Sequence, residues 1–343
     1  MSKNKIQILR QNIGLDVSKE EFEANLVVLN EQLENRYMGR KVFNNTLKGI
    51  ENFIEWANKK ADPSVELEVT MEATGVYHEN LAFSLYEQGW NIHVVLPNLV
   101  KKFIESHGIK SKTDKLDAKS LGQMGVERKL TRWQPASKNI KQLKALTRER
   151  SKRLKEQTKV KNQLHALKNS YNPPSSSIER YKELIKFLED QIKAMEKEIT
   201  HLIKKDEVLN AKMQKIISTP GLGITTVACI IAETNGFAGI TSIKQLQSYA
   251  GYDIQIRESG KWKGKTKISK KGNSYIRHAL YFPAYTITKY SSHHKVFYNR
   301  LCDNKEKSLI AATAVQRKLL GLIYTLWKKD TYFDPDYIQN KAA

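Results

Sequence analysis

Residues 112–117 read Lys112-Thr113-Asp114-Lys115-Leu116-Asp117 and open an apolar-periodic run through Ala118, Leu121, Met124 and Val126. The pattern predicts the start of a helix, because Thr113 or Asp114 can cap free backbone N–H groups and a first-turn Asp117 suits the helix dipole. Asp114 and Asp117 then share one helix face, with Cβ atoms about 5–6 Å apart. Carboxylates so placed can hold a divalent cation, although an isolated pair with this spacing is more often a helix cap followed by a dipole-stabilising aspartate.

The residues before this helix predict an α/β domain. Ile13, Leu15 and Val17 alternate around Asp16, which places a carboxylate on the opposite face of a strand. Glu72 ends another alternating segment. Alternation, turn residues and capping residues together predict strands over 8–17, 23–29, 36–43, 65–72 and 90–96, a helix from Thr46, and a helix that closes at Gly89.

This order of elements matches an RNase H-like domain, a mixed sheet with helices in which carboxylates on the first strand, the fourth strand and a late helix converge. The corresponding residues are Asp16, Glu72, Asp114 and Asp117. Phosphodiester cleavage by two metal ions about 3.5–4 Å apart requires several oxygen ligands from separate elements. We therefore predict a metal site for Mg²⁺, with Mn²⁺ as the alternative ion. Singly, Glu72 is equally consistent with an ordinary strand end and Asp16 with a bond to a neighbouring backbone N–H.

The composition favours a nucleic-acid partner. The 343 residues carry 58 Lys and Arg against 36 Asp and Glu, a net charge of +22, so a polyanion is the expected ligand. An acidic membrane is the rival, but the longest apolar run, 227–232, is far shorter than the roughly 20 residues that span a bilayer. Two isolated cysteines, Cys229 and Cys302, suit a reduced compartment, and we expect a cytoplasmic, nucleoid-associated protein of a bacterium or archaeon.

A basic helix is predicted next. Residues 138–168 contain eleven Lys and Arg against two Glu, without Gly or Pro, and the alternative to nucleic-acid binding is a solvated charged face. After Pro173 and Pro174 a second helix is expected, with Ser177 as its N-cap. Its apolar residues follow a heptad pattern, which allows it to pack on the basic helix or on another protomer: Ile178, Tyr181, Ile185, Leu188, Ile192, Met195, Ile199 and Leu202.

The C-terminal third contains two further signals. Pro220-Gly221-Leu222-Gly223 resembles a helix-hairpin-helix turn, which offers backbone N–H groups to a phosphate, although a simple packing corner explains it almost as well. From Arg257 to Arg277, both included, there are eight basic residues and one acid, interleaved with Trp262 and Tyr275. Ser259 lies in this cationic stretch, in what we expect to be a flexible loop. From these residues alone it is a turn former more readily than a nucleophile.

Several motifs in one order resemble the DEDD transposases of insertion-sequence family 110, the bridge-RNA-guided serine recombinases related to Piv-type DNA invertases. The resemblance spans nearly the whole chain. It is carried by 14–19, 71–75, 112–118, the turn at 220–223, Glu258-Ser259-Gly260, and 268–273 with Arg277. One departure is the run Asp253-Ile254-Gln255, where family members commonly have a proline a few residues before the serine.

The resemblance implies a RuvC-like DEDD domain over 1–136, a coiled-coil helical arm over 137–210, and a mainly helical C-terminal transposase domain over 211–343. Asp16, Glu72, Asp114 and Asp117 would be catalytic and bind Mg²⁺, and Ser259 would form a covalent link to DNA, with the two halves of the site contributed by different protomers. The implied partners are donor and target DNA, a non-coding bridge RNA, and further copies of the chain in a dimer or tetramer, without a membrane.

Basic residues of the arm and of the serine segment are the expected nucleic-acid contacts. They are Lys144, Arg148, Arg153, Lys161, Arg257, Lys261, Lys263, Lys265, Lys267, Lys270, Lys271 and Arg277.

Three functions compete at this point. The first is a recombinase that cuts and rejoins DNA through Ser259, for transposition or inversion. The second is a metal-only, junction-resolving nuclease in which water attacks. The third is a non-catalytic nucleic-acid binder, against which the four intact carboxylates argue.

Overall fold

The computed structural model describes residues 7–73, 75–108, 114–256, 258–260, 262–264, 266–303 and 308–336, without the side chains of 114–116 and 263. The chain forms two units, Met1–Pro135 and Ala136–Ala343. The predicted division of the second unit into an arm and a transposase domain stays a prediction.

The first unit is built on a five-stranded mixed sheet. Its strands are β1 (Ile8–Val17), β2 (Glu21–Asn30), β3 (Asn35–Asn44), β4 (Leu67–Glu72) and β5 (Asn91–Val95). The spatial order is β3-β2-β1-β4-β5. Strand β2 runs antiparallel to both β1 and β3, whereas β4 is parallel to both β1 and β5. The mixed sheet and the order of its elements confirm the predicted RNase H-like fold class.

Four helices accompany the sheet in the described part of this unit. They are α1 (Leu47–Lys60), α2 (His78–Glu87), α3 (Pro97–Ser106) and α4 (Asp114–Glu127). The helix predicted from Thr46 is α1, and Thr46 is its N-cap, with its side chain accepting from the Gly49 N–H. The sequence interpretation missed α3, which begins with Pro97 in its first turn. The apolar face of the sheet packs with α1 and α2, and the rings of Phe22, Phe43 and Phe53 lie 5.5–5.6 Å apart at its centre.

The second unit begins with two long antiparallel helices. They are α5 (Lys138–Lys168) and α6 (Ser175–Lys205). The predicted N-cap at Ser177 is wrong, because the helix begins at Ser175 with Pro174, whose fixed φ suits a helix start, at the N-cap. The middle of the heptad seam, including Leu188, Ile192 and Ile199, is buried, and α6 packs on α5 within the chain. A supercoiled arm stays a prediction.

The remainder of the second unit is mainly helical. Its helices are α7 (Glu207–Ile217), α8 (Ile224–Glu233), α9 (Ile243–Tyr249), α10 (Ser274–Ala279), α11 (Tyr281–Tyr290), α12 (Ser292–Asp303) and α13 (Ser308–Lys329). Short strands β6 (Ile254–Gln255), β7 (Glu258–Ser259), β8 (Trp262–Lys263) and β9 (Lys267–Ile268) lie between α9 and α10. By length and composition α13 could span a membrane, but half of its apolar window is buried within this unit. We interpret it as a core helix.

Candidate active site

Two predicted carboxylates lie side by side on the sheet. Leu15 on β1 pairs with Met71 on the parallel strand β4. The next residue of each strand, Asp16 and Glu72, therefore projects from the opposite face at the same carboxyl edge. Neighbouring strands are about 4.8 Å apart. Both side chains are half-buried, and each has an interaction partner within the chain.

The third carboxylate comes from α4, which rests directly on β1. A Cβ atom built on Gly14 would lie 2.0 Å from the Ala118 carbonyl oxygen and 2.2 Å from the Gly122 nitrogen. The backbones are thus in contact, and only glycine at position 14 permits this approach. Because Asp117 directly precedes Ala118, the same contact brings the half-buried Asp117 over the face that carries Asp16.

A fourth acidic residue adjoins this site and was not predicted. Glu23 on β2 pairs in register with Asp16, and its side chain is 8% exposed. Arg40 on β3 donates from Nε and Nη2 to the two Glu23 oxygens at 2.5 and 2.8 Å. This bidentate ion pair offsets the repulsion expected between carboxylates on facing strand residues.

The donor chemistry of this face suits Mg²⁺, which prefers oxygen ligands. Among the residues whose side chains are described, no three His, Cys, Asp or Glu gather tightly enough to enclose one ion. The Asp114 side chain lies outside the described part of the structure, so only three of the four predicted carboxylates can be placed. The structure thus brings Asp16, Glu72 and Asp117 to one face, and metal binding by them stays a prediction.

Ser259 lies near the tip of a β-hairpin. β6 pairs with β9, β7 pairs with β8, and Ser259 is directly opposite Trp262. Gly260 follows with φ at +57°, a conformation that glycine adopts readily at a tight turn. Ser259 is exposed and Trp262 is 59% exposed. The prediction of a flexible loop is therefore wrong, because this segment forms paired strands. These strands present the Ser259 hydroxyl beside the Trp262 ring.

Close backbone packing fixes the base of this hairpin. The Ser269 N–H donates to the Asp253 carbonyl at 2.7 Å. A Cβ atom on Gly272 would lie 2.5 Å from the Gly251 nitrogen, so the two chain segments touch. Arg277 Nη1 donates to the Ala250 carbonyl at 2.7 Å and to the Gly272 carbonyl at 3.2 Å. Arg277 thus holds the hairpin base through internal hydrogen bonds.

A buried carboxylate links this base to the basic helix. Glu233 at the end of α8 has a fully buried side chain. Arg148 on α5 donates to its two oxygens at 2.6 and 2.8 Å, and Asn273 Nδ2 donates to Oε2 at 2.6 Å. The hydrogen bonds to Glu233 raise the pKa of Arg148, and burial raises the pKa of the neighbouring Cys229 thiol to about 12. Cys229 is therefore an un-ionised core residue at neutral pH.

The predicted nucleic-acid contacts occupy different environments. Besides Arg148 and Arg277, Arg153 pairs with Glu156 at 2.8 Å and Lys161 pairs with Glu189 at 3.2 Å. Lys144 is half-buried and interacts within the chain. Lys267, Lys270 and Lys271 are exposed beside the hairpin. Arg257, Lys261, Lys265 and the Lys263 side chain lie outside the described residues. All of these contacts stay predictions.

Known protein families match both units. A model of DEDD transposases of the IS110 type, described as a transposase, matches residues 13–173. A second model, described as the transposase IS116/IS110/IS902 family, matches residues 213–299. The chain belongs to the IS110 family of transposases. It is accordingly an enzyme that recombines DNA.

Relatives of this IS110-family transposase include DNA-inverting proteins. The pilin gene-inverting proteins of Moraxella bovis and Moraxella lacunata are each 27% identical over 328 residues, covering 94% of this chain and 97% of the relative. Among solved structures, Thermus thermophilus RuvC in complex with a Holliday junction aligns with a TM-score of 0.25 and 13% identity, over 34% of this chain and 97% of RuvC. A second structure of that RuvC aligns with a TM-score of 0.24 and 15% identity, over 36% and 84%.

The structure of this transposase identifies positioning residues that sequence interpretation missed. Gly14 stands in a strand, a placement that often indicates a close backbone approach, and Gly122 stands in an otherwise helical pattern. The sequence therefore contained a signal for the close contact at both glycines. Glu233 carried none, because a single acid ending an apolar helix is also compatible with a solvated helix end.

Proposed function

We propose that this protein is the recombinase of a mobile insertion sequence and that it cuts and rejoins DNA through Ser259. The observation that carries the proposal is the exposed Ser259 hydroxyl on a hairpin whose base is held by Arg277 and by the Glu233 network. A nucleophile needs both access to its substrate and a fixed position. The hairpin supplies both.

The proposed step is a transesterification. The Ser259 oxygen attacks the phosphorus, a serine–phosphate bond forms, and the bond from phosphorus to one sugar oxygen breaks. The serine proton leaves as the new bond forms, and the departing sugar oxygen takes up a proton. Attack by another sugar hydroxyl on the serine–phosphate link reverses the chemistry and rejoins the strand without an external energy source.

The acidic face of the first unit is the proposed second half of the reaction centre. Asp16, Glu72 and Asp117, with Asp114 as the further candidate, would hold Mg²⁺, or Mn²⁺ in its place. A bound divalent ion would supply charge stabilisation to the phosphate oxygens. The protein's own contribution is the alignment of the carboxyl ends of β1 and β4, together with the Gly14 contact that brings α4 over them.

The remaining elements of the proposal are the partners. A non-coding bridge RNA would choose the donor and target DNA by base pairing, which is consistent with a net charge of +22 and with the resemblance described above. A dimer or tetramer in the bacterial or archaeal cytoplasm, associated with the nucleoid, would bring two serines to two strands.

Two alternatives have support of their own. The 27% identity to pilin gene-inverting proteins over nearly the whole chain favours DNA inversion as the outcome of the same serine chemistry. The carboxylates on an RNase H-like sheet favour a metal-only, junction-resolving nuclease in which water attacks. Only the serine mechanism produces a covalent bond between protein and DNA.

A covalent-adduct assay tests the proposal. The full-length protein is combined with RNA transcribed from its flanking DNA, labelled junction and target DNA, and Mg²⁺, and the products are resolved under denaturing conditions. We expect a protease-sensitive shifted band that is absent in Ser259→Ala. It should persist in the control Ser269→Ala, which removes a half-buried hydroxyl at the exit of the same hairpin. The metal-only nuclease would be favoured instead if the DNA is cleaved without an adduct. In that case cleavage should persist in Ser259→Ala and be lost in Asp16→Asn.

A further inference from the structure

A groove of about 630 Å³ lies within the second unit, and none of the residues described as lining it belongs to the strands of the serine hairpin. Its walls are one face of α5, the first turns of α8, and the α10–α11 segment. The α5 residues that line it recur at three- and four-residue steps, which places them on one side of that helix. A volume of this size falls within the range of ligand-binding clefts in proteins.

The groove is cationic. Arg150, Lys155 and His278 line it, and none of its described lining residues is acidic. Arg150 forms an ion pair with Glu196, whose Oε1 lies 2.6 Å from Nη2, so its charge is partly neutralised. Lys155 and His278 are exposed at the rim. The positive charges of Arg150 and Lys155 on a concave surface favour an anionic ligand.

The groove also presents an aromatic face. Phe282 on α11 lines it, and its ring is 75% exposed. Tyr281 supports the ring edge-to-face, with centroids 5.2 Å apart. Tyr275 also lines the groove, but the Arg148 guanidinium covers its ring at 4.9 Å. Phe282 is therefore the ring in this groove that a ligand can stack on.

Hydroxyl groups complete the lining. Thr225 and Thr226 stand in the first turn of α8, and Ser151 stands on α5. These side chains can hydrogen-bond to phosphate or sugar oxygens. Cys229, Ala279 and Pro283 form an apolar floor. A nucleotide combines a charged phosphate with a flat, largely apolar base. The polar, cationic rim of the groove suits the phosphate, and the apolar floor with its exposed aromatic ring suits the base.

We propose that this groove binds an unpaired nucleotide of a single-stranded nucleic acid, with its base stacked on Phe282 and its phosphates against Lys155 and Arg150. Stacking requires a base face that a duplex does not expose, whereas phosphate contacts alone would serve duplex and single strand alike. The site goes beyond the proposed serine chemistry. Binding in it needs no divalent ion and no Ser259.

The test is equilibrium binding of the full-length protein to labelled oligo(dT), oligo(U) and a DNA duplex, all in EDTA so that no cleavage occurs. Phe282→Ala should weaken binding of a single strand by about tenfold, the typical effect of removing the ring beneath one stacked base, and leave duplex binding nearly unchanged. Lys155→Ala should lower the salt-dependence slope for the single strand by about 0.7, the value for one phosphate that is no longer neutralised. Comparing oligo(dT) with oligo(U) shows whether DNA or RNA is the preferred source.

Two matched controls accompany these variants. Tyr290→Ala removes an aromatic side chain that is 72% exposed on the same helix but outside the groove, and Lys186→Ala removes an exposed lysine on α6. Equal effects of groove and control variants would overturn the proposal, as would equal weakening of duplex and single-strand binding in Phe282→Ala. A changed oligomeric state in Phe282→Ala, with unchanged oligonucleotide binding, would assign the groove to a second copy of the chain and also overturn it. Because the readout is binding without metal, it is independent of whether Ser259 forms an adduct.

Discussion

Gly14 illustrates how the absence of one side chain can position an acidic site. The residue lies two positions before Asp16, and it is where α4 touches β1. A larger residue would separate the strand that carries Asp16 from the helix that carries Asp117. Gly14 contributes no chemistry of its own, but it is required for the relative placement of Asp16 and Asp117.

Replacing this residue gives a test at the same scale. Gly14→Ala places a Cβ 2.0 Å from the Ala118 carbonyl oxygen, so α4 must shift. We expect the first unit to lose about 2–3 kcal/mol of stability, as overpacking of a tight contact typically costs. Urea unfolding measures this. Any divalent-ion-dependent activity should fall together with stability, because Asp117 moves.

Gly39→Ala is the matched control in the same sheet. There the new Cβ meets only the Trp56 ring at 3.3 Å and the Lys60 side chain at 4.0 Å. Both are side chains that can adjust, so a change below about 1 kcal/mol is expected. Equal destabilisation by the two variants would show that the backbone contact at Gly14 has no special role.

The chemistry-bearing residues were easier to predict than their supports. Asp16 and Glu72 stood out as carboxylates within otherwise alternating strands, and the structure places them at the carboxyl ends of the neighbouring strands β1 and β4. Glu23 and Arg40 gave no such signal, because their pairing depends on the register of β1 with β2 and on the reach of a side chain from β3. Register across strands is a long-range property that a local pattern does not encode.

At the scale of elements, α5 is tied to α8 and to the serine hairpin through one carboxylate. Arg148, Glu233 and Asn273 connect three segments that are distant in the sequence. The hairpin itself was expected as a loop, because strands of two residues are too short to show alternation. Long elements such as β1 and α5 were predicted to their ends, since a sustained pattern over many residues outweighs local ambiguity.

Glu233→Gln tests this connection. The variant keeps the shape of the side chain but leaves Arg148 without its counter-charge. Since Arg148 is 42% exposed and water partly solvates it, we expect a decrease of about 2–3 kcal/mol in the free energy of unfolding, below the cost of a fully buried broken pair. Chemical denaturation measures this decrease.

The neighbouring ion pair supplies the control for this variant. Arg150 and Glu196 also join α5 to another helix, but Glu196 is 38% exposed. Glu196→Gln should therefore cost less than about 1 kcal/mol, as surface pairs do. If the two substitutions destabilise the protein equally, burial of Glu233 does not give its pair a special role.

Over the whole molecule, the excess positive charge is distributed unevenly. Helix α5 carries eleven Lys and Arg against two Glu, whereas α6, of the same length, carries seven against six acids. The two helices pack together, so one side of this pair is strongly basic and the other nearly neutral. Some α5 charges, such as Arg148, are committed to internal pairs, which leaves exposed lysines as the candidates for phosphate binding.

This asymmetry predicts the salt dependence of duplex binding. Replacing three exposed α5 lysines, Lys152, Lys159 and Lys168, with alanine should lower the slope of log K against log salt by about 0.9 for each phosphate that the helix no longer neutralises. Replacing three exposed α6 lysines, Lys186, Lys193 and Lys197, removes the same charge from the same helical pair and should change the slope little. Titrations at several salt concentrations, with both variants checked for unchanged thermal unfolding, measure the difference. Equal slopes for the two triple variants would mean that only total charge matters and that α5 is not the phosphate-binding surface, because binding at a surface depends on where the charge lies.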